Sequence, residues 1–348
     1  MIRLSDLIKG EGSPLKDQSG GKKAPEKEKI SLKTIENLRK QGLETTAKDK
    51  EKYKKDVGIL YDEAYHFVDD IFSKCKKNLS FTVDKGSDIL TKMIESIKEN
   101  DELYFKTVYK SDLPDNFISH SANVCIFATK MGIGFKYSDD ELIKLGMAAL
   151  FHDVGVTKIP EEILAKPGKL TESELGLIKK HPGHGHKIIS EVLSREYEWL
   201  SEIIYQEHER EQGQGYPKGL KGDEIDECAK IIGIVDVYEA LTHNRPQRKR
   251  ILPYNAIRQI IETEKHHFSP KIMKALLSEL SIFPLDSFVR LNSNEIGKVV
   301  ETNKVQPLRP VVKILLNTKG QKLKEEKIID LIKSPFLYIT ESIDEIDA

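Results

Sequence analysis

The run Met147-Ala148-Ala149-Leu150-Phe151 is unbroken apolar sequence and leads straight into His152-Asp153. A helix of that character is buried on every side, so it delivers an imidazole and a carboxylate together into the interior. An ionised carboxylate is costly there unless a metal or another cation compensates it. Any fold open to this chain therefore has to bring compensating groups to that helix end. The candidates are His120, His181, His208 and Asp236, each within or at the end of a helical apolar pattern. Imidazole mixed with carboxylate suits iron, manganese or zinc, and a set this large can serve two ions. Taken singly these signals are weak, because a lone histidine on a helix is more often structural or at the surface.

The chain has 348 residues, which leads us to expect two or three structural units. Its 55 basic and 56 acidic side chains nearly cancel, which argues against a general binder of DNA, RNA or membrane surfaces. Cys75, Cys125 and Cys228 are odd in number and far apart, so they predict buried thiols in a reducing compartment rather than a disulfide framework or zinc ribbon. No secretory signal pattern opens the sequence and no run of about 18 apolar residues occurs, so a cytoplasmic protein is expected.

Residues 1–32 are rich in Gly, Ser, Pro, Lys and Glu and predict a disordered tether. Residues 33–112 predict a helical domain for packing, regulation or dimerisation, with a homodimer among the arrangements it allows. Within it Val57, Leu60, Tyr61, Ala64, Val68, Ile71, Phe72 and Cys75 recur at three- and four-residue spacing, and Ile89, Leu90, Met93, Ile94 and Ile97 mark a second helix. Residues 113–283 continue the helical spacing between short Gly and Pro interruptions and hold nearly all the informative histidines. From residue 284 to 348 the pattern turns to short β-branched runs at 288–291, 298–301 and 311–316, which predict a small antiparallel β appendage. There is no internal repeat.

The order His120, His152-Asp153, His181-Pro182, His208-Glu209-Arg210, Gly213-Gln214-Gly215-Tyr216-Pro217, Asp236 is far more specific than any of its parts. Across residues 113–316 the chain resembles the HD-GYP family, a branch of the HD phosphohydrolase superfamily. The resemblance implies a mainly α fold with an all-helical HD bundle and a small β extension. It also implies two divalent transition-metal ions, iron or manganese with zinc as an alternative, held by His120, His152, Asp153, His181, His208 and Asp236. His152 and Asp153 would be the central catalytic pair, with Asp153 bridging the ions. Gly215, Tyr216 and Pro217 would contact the ligand, and Arg245 and Arg248 its phosphates. Composition alone would make Arg245 to Arg250 a solvated basic run; register from Asp236 favours the phosphate role, for which guanidinium forks are suited. The implied activity is hydrolysis of cyclic di-GMP to pGpG and onward to GMP. Two rivals are a module that binds cyclic di-GMP, or docks a GGDEF-domain protein through the Gly-Tyr-Pro loop, without turnover, and a phosphohydrolase for another nucleotide phosphoester.

Four positions depart from the family pattern. Asn116 stands where many relatives place a glutamate that supports a third metal, so two ions are expected. Val156 replaces a lysine, and Lys158 is the nearest substitute. Glu207 replaces a histidine and is itself a candidate ligand that makes the site harder and more anionic. Gln212 replaces an aspartate before the loop glycine. Among the other histidines, His184 and His186 are expected to face solvent or a groove, His66, His266 and His267 the surface, and His243 either the pocket or a helix end. Val124, Cys125, Ala128 and Met131 are expected core.

Overall fold

The computed structural model describes residues 47–100, 102–109, 117–166, 170–243, 250–303 and 305–343. The tether at 1–32, Asn116, Arg245 and Arg248 lie outside the described residues. Two compact units divide between Ile59 and Leu60. The first is described only over its last residues, which are helical; the second, Leu60–Ala348, holds every candidate site residue.

Helix α1 (Ala47–Lys76) carries Tyr61, Ala64, Val68, Ile71, Phe72 and Cys75 on one buried stripe, as the spacing predicts. Helix α2 (Asp84–Asn100) buries Ile89, Leu90, Met93, Ile94 and Ile97 in the same way. A short α3 (Glu102–Tyr109), which the apolar spacing does not mark, follows. Its eight residues span about two turns, too few for periodicity to stand out from chance.

Helix α4 (Phe117–Gly134) is the centre of the bundle: from Ser119 to Gly132 every residue is buried. Val124, Cys125, Ala128 and Met131 have no exposed surface, in agreement with their expected core role. A helix buried all round has no polar face, so its few polar side chains must find partners inside. Helix α5 (Asp139–Phe151) packs along α4. It starts with Ser138 accepting from the Glu141 amide while the Glu141 carboxylate accepts from the Ser138 amide, a reciprocal cap of the kind that contributes about 0.5–2 kcal/mol. It ends at His152, and a 3₁₀ turn at Val154–Lys158 carries the chain away.

Helices α6 (Glu161–Leu164) and α7 (Glu172–Ile178) are short, and α8 (His181–Val192) returns against the 3₁₀ turn. Gly155 makes that approach feasible: a Cβ there would stand 1.9 Å from the His181 carbonyl oxygen. Helices α9 (Glu198–Gln206), α10 (Glu227–Thr242), α11 (Pro253–Thr263) and α12 (Pro270–Glu279) complete the helical part. Helix α10 packs on α4, which sets Asp236 opposite His120.

The C-terminal sheet is antiparallel, with strand order β4-β3-β2-β1-β5. Its strands are β1 (Phe288–Leu291), β2 (Ile296–Glu301), β3 (Val311–Leu316), β4 (Lys322–Asp330) and β5 (Ile339–Ile343). The three central strands are those the β-branched runs predict, β2 starting two residues earlier. The two outer strands carry sequences such as Lys-Leu-Lys-Glu-Glu-Lys, which give no strand signal. Edge strands stay wet, so charge costs them little and also discourages further pairing. Cys75, Cys125 and Cys228 are free thiols, the first two buried. Among the described residues no helix is long and apolar enough to cross a membrane.

Candidate metal centre

The end of α5, the start of α8, the end of α9 and the middle of α10 converge on one buried spot beside α4. His120, His152 and Asp236 form one cluster of donor atoms, and His181, Glu207 and His208 form a second. Asp153 lies between them. Its Oδ2 is 3.7 Å from His120 Nε2 and 3.5 Å from His152 Nε2, while its Oδ1 is 3.4 Å from His181 Nε2. All seven candidate ligands, Glu207 included, are therefore in one place.

The imidazoles are oriented from behind. His152 Nδ1 is 2.8 Å from the Ala149 carbonyl oxygen, and His181 Nδ1 is 2.8 Å from that of Ile178. His120 Nδ1 is 2.5 Å from Glu239 Oε2. A carbonyl or carboxylate oxygen can only accept, so each Nδ1 carries the proton and each Nε2 is turned inward. As a result His120 Nε2 and His152 Nε2 face each other at 3.3 Å, and His181 Nε2 and His208 Nε2 at 3.1 Å. Ring nitrogens this close need a proton or a cation between them.

A divalent cation fits that demand. Donors about 2.0–2.2 Å from one ion stand about 3–3.5 Å apart, and His120 Nε2 to Asp236 Oδ1 is 3.1 Å while His181 Nε2 to Glu207 Oε1 is 3.2 Å. The second Glu207 oxygen, Oε2, is buried and has no hydrogen-bond partner. That buried oxygen, set among histidines, is a donor that a cation could take.

The protonation pattern points the same way. Burial works against an ionised Asp153, yet the charges of His152, His181 and His120 outweigh it and hold its carboxyl low. Asp236 is likewise depressed: desolvation opposes ionisation, and the His120 hydrogen bond and charge overcome it. Burial pushes the Glu207 carboxyl up. Burial opposes the His181 cation too, but the Glu207 hydrogen bond and the Asp153 charge raise it to about 9. Burial, aided by His181, drives His208 down to about 3. The raised Glu207–His181 pair therefore shares a proton.

Tyr216 leans on this centre: its ring stacks on His208 with centroids 4.8 Å apart and planes at 22°. The loop bearing it is tied down tightly. The Tyr216 amide donates to the His208 carbonyl at 3.1 Å, and a Cβ on Gly215 would meet that oxygen at 2.4 Å. The buried Glu209 carboxylate accepts from the amides of Lys218, Gly219 and Leu220 at 2.6, 3.0 and 3.0 Å. Pro217 is the loop's exposed corner, and Gln212 bonds Gln214 and bridges to Lys221 across the loop neck. A cavity of about 590 Å³ opens beside Asp153 and His181, walled by Val156, Ile163, Leu175 and Ile178, with Lys166 at its rim. Lys158 does not reach it: its ammonium donates to the Cys75 carbonyl and to Asn78 Oδ1, both at 2.6 Å.

Residues 111–272 match the HD domain, and residues 288–348 match a KOW domain associated with the HD domain. A cyclic di-GMP phosphodiesterase of Pseudomonas aeruginosa is 28% identical over 276 residues, covering 79% of this chain and 66% of that protein. The cyclic di-GMP phosphodiesterase PdeB of Borreliella burgdorferi is 28% identical over 325 residues, 88% of this chain and 83% of its own. Among solved structures, an HD-GYP-type protein of Bdellovibrio bacteriovorus superposes with a TM-score of 0.55 over 71% of this chain and 78% of that one, at 18% identity. Residues 111–272 thus form an HD domain, and the structure shares its fold with the Bdellovibrio protein.

Several contributors to this centre are not among the residues that the sequence singles out. Glu239 is the acceptor behind His120, and Asn123 donates to its other oxygen at 2.8 Å. The signal was there: Glu239 lies three residues after Asp236, on the same helical face. His243 caps α10 and turns back, its Nε2 3.0 Å from the Thr107 carbonyl oxygen and its Nδ1 3.3 Å from the Thr242 hydroxyl, so it closes the helix end. His184 and His186 are half-buried, the latter 3.2 Å from Glu202. His66 and His266 are exposed, and His267 bonds Glu264 at 2.7 Å.

Proposed function

We propose that the HD domain binds two divalent transition-metal ions and hydrolyses a cyclic dinucleotide phosphodiester, with cyclic di-GMP the substrate. The observation that carries this reading is Asp153, one carboxylate with an oxygen turned to each of two donor clusters. His120, His152 and Asp236 would hold one ion, and His181, Glu207 and His208 the other. The balance of imidazole and carboxylate favours iron or manganese, with zinc the alternative. Two such ions, once bound, lower the pKa of a coordinated water and offset the charge of the phosphodiester.

The protein's own groups then have defined tasks. Glu239, the Ala149 carbonyl and the Ile178 carbonyl keep three imidazoles in the tautomer that presents Nε2. Tyr216 braces His208 and, with Gly215 and Pro217, forms the loop against which the ligand would rest. The apolar cavity beside Asp153 sheds water at little cost, which strengthens electrostatic contacts made next to it. Arg245 and Arg248 are assigned to the phosphates of the ligand by their register from Asp236. In the reaction a water oxygen bonds to phosphorus, the P–O3′ bond breaks, and the leaving oxygen takes a proton, giving linear pGpG; a second round gives GMP.

The test is anaerobic purification, metal analysis, and chromatography of the protein incubated with cyclic di-GMP and with 3′3′-cGAMP. Two ions per chain and accumulation of pGpG are expected. Unchanged cyclic di-GMP with a full metal complement rejects the hydrolase reading; tight binding under the same conditions identifies a binding module, and cleavage of 3′3′-cGAMP alone reassigns the substrate.

A further inference from the structure

The HD-domain match begins at residue 111, yet the hydrogen bonds that orient His120 begin well before it. Tyr61 on α1 is only 2% exposed, and its hydroxyl donates to Asn123 Oδ1 at 2.9 Å. Asn123 Nδ2 donates to Glu239 Oε1 at 2.8 Å, and Glu239 Oε2 lies 2.5 Å from His120 Nδ1. At the end of α10, His243 Nε2 is also 3.0 Å from the Thr107 carbonyl oxygen on α3.

The direction of this hydrogen-bond chain follows from chemistry. An ionised Glu239 only accepts, so Asn123 must turn its amide nitrogen to it. The Asn123 oxygen is then forced toward α1, where it needs a donor, and Tyr61 supplies one. Asn123 is itself 2% exposed, so water does not substitute readily. Remove the phenol hydroxyl and a buried amide oxygen loses its partner, the amide is freer to rotate, and Glu239 is held less firmly behind His120.

We propose that Tyr61 is a positioning residue for the His120–His152–Asp236 side of the centre, so that the seating of α1 sets how tightly that side holds its ion. This rests on reading the seven side chains as a two-metal centre. It places a residue outside the HD domain in the machinery of metal retention, and it gives the helix before the domain a direct grip on one of two otherwise similar sites. The other side, His181, Glu207 and His208, takes its orientation from Ile178 and Tyr216, which lie on elements other than α1.

The experiment is titration of the chelator-stripped full chain with Mn²⁺, followed by calorimetry and by metal analysis after gel filtration, for the wild type, Tyr61→Phe and Ile71→Val. Ile71 is buried on the same helix, so its variant perturbs packing without touching the hydrogen-bond chain. In Tyr61→Phe one of two Mn²⁺ constants should weaken by about 3–10-fold, below the 10–100-fold of a direct outer-shell partner, with the other within twofold. Ile71→Val should leave both constants unchanged. Two wild-type constants that Tyr61→Phe leaves unmoved, or that Ile71→Val weakens equally, overturn the role of Tyr61 alone. Fewer than two ions on the wild type overturn the two-metal reading and this inference with it.

Discussion

Asp153 Oδ1 and His181 Nε2 stand 3.4 Å apart across the junction of α5 and α8, while the other oxygen of the same carboxylate faces His120 and His152. One side chain thus joins two donor clusters carried by different helices. Replacing Asp153 with Asn keeps its shape and removes the charge shared by both. Metal content should fall from two ions to less than one per chain, and phosphodiesterase turnover by more than about 100-fold, since loss of even an outer-shell partner costs 10–100-fold. Metal analysis and a product assay check both; retention of two ions in Asp153→Asn would count against a bridging role.

Gly155 lets α8 approach the 3₁₀ turn that follows Asp153. A methyl group there would collide with the His181 carbonyl oxygen at 1.9 Å. Gly155→Ala should destabilise the fold by about 1–3 kcal/mol, as overpacking generally does, and should loosen the His181 side of the centre more than the His120 side. Thermal melts and Mn²⁺ titration would show it. Equal weakening of both sites would mean that the turn and α8 move as one body.

Glu209 ties the Gly-Tyr-Pro loop to the stretch of chain that carries His208 by accepting three backbone amides. Glu209→Ala orphans those donors, at a cost of about 1–3 kcal/mol or more. Limited proteolysis should then cut within residues 211–222, and the His208 side should bind metal more weakly. Unchanged protease resistance would show that other contacts hold the loop.

The metal-free protein should be most stable near the ordinary histidine pKa, with a loss on each side. His181 has a raised folded pKa, so its stabilisation is complete below about 6.5 and is lost as pH rises from there through about 9. His208 has a depressed one, so its contribution is present above about 6.5 and is lost as pH falls toward about 3. If His181 holds metal as proposed, added Mn²⁺ would compete with its proton and should flatten the alkaline limb. Melting temperature against pH, with and without Mn²⁺, tests the sign of each; an alkaline limb that metal leaves untouched would separate His181 from the site.

Much of the site was legible in the order of residues. His152-Asp153 at the end of an apolar helix requires compensation wherever the chain folds, and the spaced histidines, Glu207 and Asp236 offered it. The supporting groups were less legible. Tyr61 fitted the apolar stripe of α1 so well that its hydroxyl left no trace in the pattern, and Asn123 was hidden in a helix buried all round. Glu209 sits beside a ligand, but only the fold shows its carboxylate turned away from the centre to the loop amides.

By itself, then, the chain's sequence determined the mainly helical class, the three central strands and the candidate donor residues that the fold gathers, because burial periodicity and donor chemistry are local properties of residue type. Tertiary structure alone decided which donors face each other, that Asp153 divides its oxygens between two clusters, and that α1 reaches His120 through Asn123 and Glu239. Those relations depend on how helices far apart in the chain cross and how closely glycines allow them to approach, and distances of a few ångströms between remote side chains are not encoded in any single window of sequence.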